Sequence, residues 1–185
     1  MDAAINEVDR ALCATCYDSL RNFFENYEIP IREPLKQLME KNVSCPMFVT
    51  WFKVNPNGTE QLRGCLGTLE PVSIVRIAYY ARASALDDER FDPLEEAEIP
   101  KLNCALSLLH SFEKAADPYD WVVGKHGIMI TFEHEGKEYN ATYLPEVAQE
   151  NGLTKEATLN QLIRKAGYKG KITDEIMDNM KVGAM

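Results

Sequence analysis

At 185 residues the chain has the size of one ordinary domain or of two small lobes sharing a core, enough to bury roughly 70% of its unfolded surface without a disulfide or a metal to hold it. Twenty-nine acidic against twenty basic residues leave a formal net charge of −9, with no basic tract, so direct nucleic-acid binding is not expected: a phosphate backbone calls for clustered lysines and arginines. No stretch approaches the ~18 continuous apolar residues of a membrane span, and MDAAINEVDR has neither the basic start nor the apolar centre of a secretory leader. The five cysteines, Cys13, Cys16, Cys45, Cys65 and Cys104, are odd in number and follow no framework spacing. The expectation is a soluble protein of a reducing compartment, cytoplasm or nucleus, and no basic import run decides between them.

In chain order, Ile5, Val8, Leu12, Cys16 and Leu20 recur at helical spacing and predict an amphipathic helix to about Phe24. Proline-bearing turns are expected around Pro30 and Pro34. Met47 to Val54 (MFVTWFKV) is aromatic or β-branched on both faces, as in a central strand. The turn NPNG returns the chain as QLRGCLGTL, the second arm of a hairpin. Pro71 suits a first helical turn, and Ile74, Ile77, Ala78, Ala81 and Ala85 carry a helix to about Asp87. After the loop DDERFDP, Leu102 to Phe112 reads as a buried strand. GIMITFE and KEYNATY read as a hairpin turning at Glu135 and Gly136. Two short helices follow: one from Pro145 to Gly152, the next striped by Leu159, Leu162, Ile163 and Ala166 and stopped by Gly167. Hairpins without βαβ alternation give an α+β fold with an antiparallel or mixed sheet. The Pro-rich, acidic stretch from Phe91 to Pro100 is the best candidate for a passage between lobes.

The chemistry concentrates in EQLRGCLGTLEP. Strict strand alternation would put Leu62 and Leu66 on one face and Arg63 and Cys65 on the other, a guanidinium beside a thiol. A thiol next to a cation ionises more readily and serves as nucleophile, redox sensor or soft ligand, whereas most free cysteines are small buried hydrophobes. Arg63 is equally suited to a structural salt bridge. Gly64 and Gly67 clear space for backbone or for a ligand. Cys13 and Cys16 form a C-x-x-C inside the helical pattern, with no second pair at zinc spacing, so core packing is the reading there. Cys45 reads as a loop residue and Cys104 as core. Of the three histidines, His126 lies in GKHGI at the mouth of a strand, His134 at a polar hairpin tip, and His110 near a strand end. Asp88 and Arg90 can pair across their loop, with Phe91 anchoring it. No phosphate loop, H-E-x-x-H or G-x-S-x-G motif occurs, and no ligand set argues for a metal ion.

LRGCLGT resembles the Leu-Arg-Gly-Cys-Ile-Gly signature of the AMMECR family, with Leu66 in place of isoleucine. CYDSL, PMFVTWF, SALDDERFDP, SLLHSFE, DWVVGKHGI, ATYLPEVA and LIRKAGYKGKIT follow in the family's order over nearly the whole chain, nearest to its eukaryotic branch. The resemblance implies one domain over residues 1–185, made of two unequal, closely packed lobes with the signature lining the cleft between them. It matches Leu62 to Gly67 to the signature, Asp88, Arg90, Phe91 and Pro93 to an acidic loop, and His126 and Gly127 to a further element; His110 falls where the family carries no histidine. Related eukaryotic sequences continue past the position of MKVGAM with a strand-like segment. Prokaryotic relatives are encoded beside Memo-like and radical S-adenosylmethionine proteins, an association that points to enzymatic modification.

Two functions of different class remain open. In the first, a cleft enzyme or accessory acts on a small molecule or modified residue: Cys65 is the nucleophile or soft contact, Arg63 holds an anion, His126 assists, and Gly64, Gly67, Asp88 and Arg90 surround the ligand. In the second, a non-enzymatic interaction or regulatory protein uses the same motif to close a tight turn. No cofactor is expected in either, the partner is an unspecified small molecule or protein, and the oligomeric state is open.

Overall fold

The computed structural model describes residues 2–26 and 28–185, and the side chains of residues 9–26 and 28–185. Ile5 and Val8 therefore lie outside the described side chains. The fold is α+β and divides into two compact units, Met1–Leu109 and His110–Met185. Residues 91–100 lie inside the first unit, and the division falls at Leu109 and His110.

The first unit runs α1 (Asp2–Glu25), α2 (Glu33–Glu40), β1 (Ser44–Val54), β2 (Glu60–Ser73), a 3-10 turn at Ile74–Arg76, α3 (Ile77–Leu86), a 3-10 helix at Glu96–Lys101 and β3 (Leu102–Leu108). Its three strands form an antiparallel sheet in the order β2-β1-β3. Met47, Val49 and Trp51 alternate onto one face of the central strand. There they are fully buried with Leu12, Cys16 and Leu20 of α1 and Ile77 and Ala81 of α3, each large side chain contributing about 1.5–3 kcal/mol. Trp51 places its one polar atom by donating from Nε1 to the Ala81 carbonyl at 2.9 Å, so the indole is buried at little polar cost.

At the outer edge of β3, side chains of α1 supply what a further strand would. Tyr17 donates to the Leu102 carbonyl at 2.7 Å, and the Cys13 thiol points at the Cys104 carbonyl at 3.8 Å. Burial pushes the Tyr17 phenol up to about 12. The hydrogen bond with the Cys104 thiol, followed by burial, holds the Cys13 thiol well above the usual range.

Three expectations for this unit are corrected. Where turns were expected around Pro34 the chain forms α2, with Pro34 in its first turn, the place where a missing N–H costs nothing. Pro71 opens no helix but lies in β2: pairing is interrupted between Cys45/Val72 and Met47/Thr68, and Pro46 and Pro71 both fall in that interruption, the setting in which a strand tolerates proline. Cys45 is accordingly a strand residue rather than a loop residue.

The second unit runs β4 (Glu113–Lys114), β5 (Ile128–His134), β6 (Lys137–Tyr143), α4 (Pro145–Glu150), α5 (Lys155–Lys165), α6 (Asp174–Asn179) and β7 (Lys181–Ala184). The sheet order is β4-β7-β5-β6, all antiparallel. Ile128, Ile130 and Phe132 pack with Leu159, Leu162, Ile163 and Ile176. The β5–β6 hairpin turns at Glu135 and Gly136 with φ of 51° and 74°, the pair of left-handed residues that matches strand twist. Thr154 caps α5 by accepting from the Ala157 amide at 3.2 Å, and Gly167 ends it at φ 92°. The expected strand Leu102 to Phe112 is shorter, ending at Leu108. The segment KVGA, to which the sequence reading assigned no element, is the interior strand β7.

Candidate functional site

The sequence RGCLG lies on β2, the edge strand of its sheet, and the register around it decides what the motif does. Trp51 pairs with Gly64 and Phe52 with Leu62, so Arg63 is an extra residue, a β-bulge. A bulge breaks the two-residue alternation and re-aims a side chain. Arg63 and Cys65 therefore do not share a face, which corrects the expectation of strict alternation.

Arg63 turns toward the 3-10 helix. Its Nε and Nη2 donate to Glu98 Oε1 and Oε2 at 3.1 and 2.9 Å, Nη1 to the Asp92 carbonyl at 2.9 Å and Nη2 to the Pro93 carbonyl at 3.5 Å. Lys53 adds a contact to Glu98 at 3.3 Å. The Arg63 side chain is 13% exposed, and four of its five N–H groups are directed at protein acceptors. The hydrogen bonds from Arg63, more than any other cause, hold the Glu98 carboxyl down at about 2.

Cys65 lies on the opposite face, paired across from Thr50, whose hydroxyl donates to the thiol sulfur at 3.1 Å. Its main-chain groups, which an edge strand leaves unpaired, are taken by the loop after α3. The Cys65 amide donates to Asp88 Oδ2 at 2.8 Å, and Arg90 Nη2 donates to the Cys65 carbonyl at 3.3 Å. Arg90 grips Asp88 at the same time, Nε to Oδ1 at 2.9 Å and Nη2 to Oδ2 at 2.7 Å. Asp88 is buried, and the Arg90 hydrogen bonds, seconded by the Cys65 amide, hold its carboxyl well below the usual carboxylate range. The loop is anchored in the core by Leu94, 3% exposed, while Phe91 stays partly exposed beneath Arg90; the anchor expected of Phe91 belongs to Leu94.

The glycines face protein. A Cβ on Gly64 would overlap the Ser84 carbonyl oxygen of α3, and one on Gly67 the Met47 carbonyl and the Phe48 ring. The structure thus brings Cys65, Asp88 and Arg90 together and pairs Arg63 with Glu98, while Arg63 and Arg90 both line an open pocket with Glu89, Phe91 and Asp92.

The histidines belong to the second unit. The Val122 amide donates to His126 Nδ1 at 3.2 Å, and the His126 amide donates back to the Val122 carbonyl at 3.0 Å, a turn that leaves the ring proton on Nε2. His110 is exposed beside Ser111. His134, expected to be solvated, packs edge-on against the buried Tyr168 ring at 5.1 Å. Sequence reasoning missed Glu98, Thr50 and Lys53 as partners. None of the three was marked in local composition; the capping box that Glu98 forms with Glu95 at the start of the 3-10 helix is a feature of the folded chain. Among the described residues no group of three or more His, Cys, Asp or Glu is arranged to hold a metal ion, and no helix is long and apolar enough to cross a membrane.

Two antiparallel sheets, each with its own helices, and an edge-strand R-G-C-L-G clamped by an Asp–Arg loop define the class of protein. The chain belongs to the AMMECR1 family, which it matches over residues 13–182. It is 41% identical over 171 residues to an uncharacterized protein of Arabidopsis thaliana, covering 91% of this chain and 77% of that one. With an uncharacterized protein of Schizosaccharomyces pombe it shares 44% over 130 residues, 70% and 67% of the two chains. The crystal structure of an uncharacterized protein from Pyrococcus horikoshii has the same fold, with a TM-score of 0.75 at 24% identity over 96% of this chain and 88% of that one.

Proposed function

We propose that this chain is a non-enzymatic interaction module in which RGCLG is architectural, fixing the segment from Asp88 to Glu98 as part of a recognition surface. The observation that carries the reading is the occupied fork of Arg63: two hydrogen bonds to Glu98 and two to loop carbonyls leave no donor pair for a ligand anion. The protein atoms that fill the space beside Gly64 and Gly67 support it as well. In this reading Cys65 contributes its main chain, through Asp88 and Arg90, more than its sulfur.

The test is native-state thiol alkylation followed by peptide mass spectrometry, with the stability of Arg63→Ala and Cys65→Ser measured alongside. The reading expects Cys65 to react no faster below pH 8 than an ordinary exposed thiol, Arg63→Ala to be strongly destabilised, and Cys65→Ser to stay close to wild type. Fast alkylation of Cys65 alone well below pH 8 sinks it.

One observation favours a second reading. Arg90 is 57% exposed and bonded to the Cys65 carbonyl, which sets a cation near a partly exposed thiol. In that case Cys65 is the nucleophile or soft contact, and Arg90, with Asp88 orienting it, takes the anion-holding role first expected of Arg63. His126 enters the supporting observations of neither reading.

A further inference from the structure

We propose that the groove between α1 and the 3-10 helix Glu96–Lys101 is a docking surface for a partner segment that is basic and apolar at once, with lysines or arginines flanking aliphatic side chains. The proposal deepens the interaction reading above and rests on it. The groove has a volume of about 990 Å³. Its floor is apolar, built from the Tyr17 ring, Ala97, Ile99 and Leu102. Its rim carries Glu25, Glu95 and Glu96 against one cation, Arg21, which already pairs with Glu25 at 3.1 Å.

An apolar floor gains from covering by aliphatic groups, and an acidic rim selects cations and repels acidic segments and phosphate backbones. The chain's net charge of −9 steers in the same direction.

The walls are held before any partner arrives. Arg63 and Lys53 pin Glu98 on the back of the 3-10 helix, and Glu98 Oε2 also accepts from the Glu95 amide at 3.1 Å. The Tyr17 hydroxyl ties α1 to Leu102 at the floor. Little ordering is left for binding to supply, which favours affinity. Glu98 is spent in this scaffold, whereas Glu96 stands exposed on the rim. Through Arg63 and Glu98, the RGCLG strand sets the position of one wall.

The experiment is fluorescence anisotropy of the full chain at about 0.15 M salt with three fluorescein-labelled peptides: Lys/Leu, Glu/Leu and Lys/Ser. The Lys/Leu peptide is expected to bind with a Kd on the order of 10 μM, the other two about tenfold or more weaker. Glu96→Lys and Ala97→Arg, both at exposed positions, should each weaken Lys/Leu binding about tenfold. The double reversal Glu133→Lys with Glu138→Lys, on the exposed strand pair of the second unit, should change it less than about twofold. Equal binding of Lys/Ser and Lys/Leu, an equal effect of the second-unit reversal, or no Lys/Leu binding up to about 1 mM would overturn the proposal. Because Arg63 and Cys65 are intact in all these proteins, failure here leaves the architectural reading standing; that reading fails only by the alkylation and stability results.

Discussion

Arg63 and Glu98 meet fork to fork, Nε to Oε1 at 3.1 Å and Nη2 to Oε2 at 2.9 Å, across 35 positions of sequence. Removing the guanidinium leaves the mostly buried Glu98 carboxylate with only Lys53 and the Glu95 amide, and the Asp92 and Pro93 carbonyls without their donor. Arg63→Ala is expected to lose roughly 2–3 kcal/mol in urea unfolding. Arg63→Lys should recover only part of the loss, since an ammonium cannot make the parallel pair. A loss within about 0.5 kcal/mol for Arg63→Ala would show the pair to be a surface ornament.

Acid should act through the same carboxylates. Glu98 titrates at about 2 in the folded chain against an ordinary value of 4.5, and Asp88 is depressed below its ordinary 3.8. Stabilisation from a depressed carboxylate is complete above its unfolded pKa and is lost as pH falls toward its folded one. Urea midpoints should therefore hold steady above about pH 4.5 and drop from there toward pH 2. In Arg63→Ala the Glu98 share of that drop should shrink to what the Glu95 amide and Lys53 still hold, leaving a shallower acid limb in which Asp88 carries the larger part. An unchanged limb would assign the acid sensitivity elsewhere.

Gly64 supplies a steric prediction. A methyl at this position overlaps a backbone oxygen of α3, which cannot swing aside as a side chain would. Gly64→Ala should cost about 3 kcal/mol or more, or prevent folding. The comparison is Gly152→Ala, where no atom lies within 4 Å of the added Cβ and only the φ of 60° opposes it; a loss of about 1 kcal/mol is expected there.

Asp88 is held by two kinds of partner, and substitutions separate them. Asp88→Asn keeps an acceptor for the Cys65 amide but loses the charge that Arg90 grips, so about 1–2 kcal/mol is expected. Asp88→Ala loses both and leaves the amide unsatisfied, for roughly 3 kcal/mol. Amide exchange at Cys65, read by NMR, should accelerate in Asp88→Ala and much less in Asp88→Asn.

The elements with strong periodicity were legible in the sequence. Leu12, Cys16 and Leu20 gave α1, Leu159, Leu162 and Ile163 gave α5, and the Glu135–Gly136 turn gave its hairpin. What escaped depends on pairings made at long range. An extra residue in a ladder leaves no mark in local composition, so the bulge at Arg63 was invisible and the Arg63–Cys65 juxtaposition followed wrongly from alternation. KVGA is too short to announce a strand and becomes one only because β4 and β5 flank it. Proline misled twice, at Pro34 and at Pro71, because it fits a helix start and a broken ladder equally well. Around the motif, the Asp88–Arg90 pair was legible from its loop, while the carboxylate that claims Arg63 is one glutamate among many in an acidic stretch.

The Tyr17 hydroxyl on Leu102, answered on the other side of the sheet by Asp88 and Arg90 on Cys65, means that a point on each border of a three-stranded sheet is closed with side chains instead of backbone. Each closure occupies the groups through which a neighbouring chain would add itself. While those contacts hold, a neighbouring chain meets a Leu102 carbonyl and a Cys65 amide and carbonyl that are already taken, and can add itself at either point only by displacing a side chain.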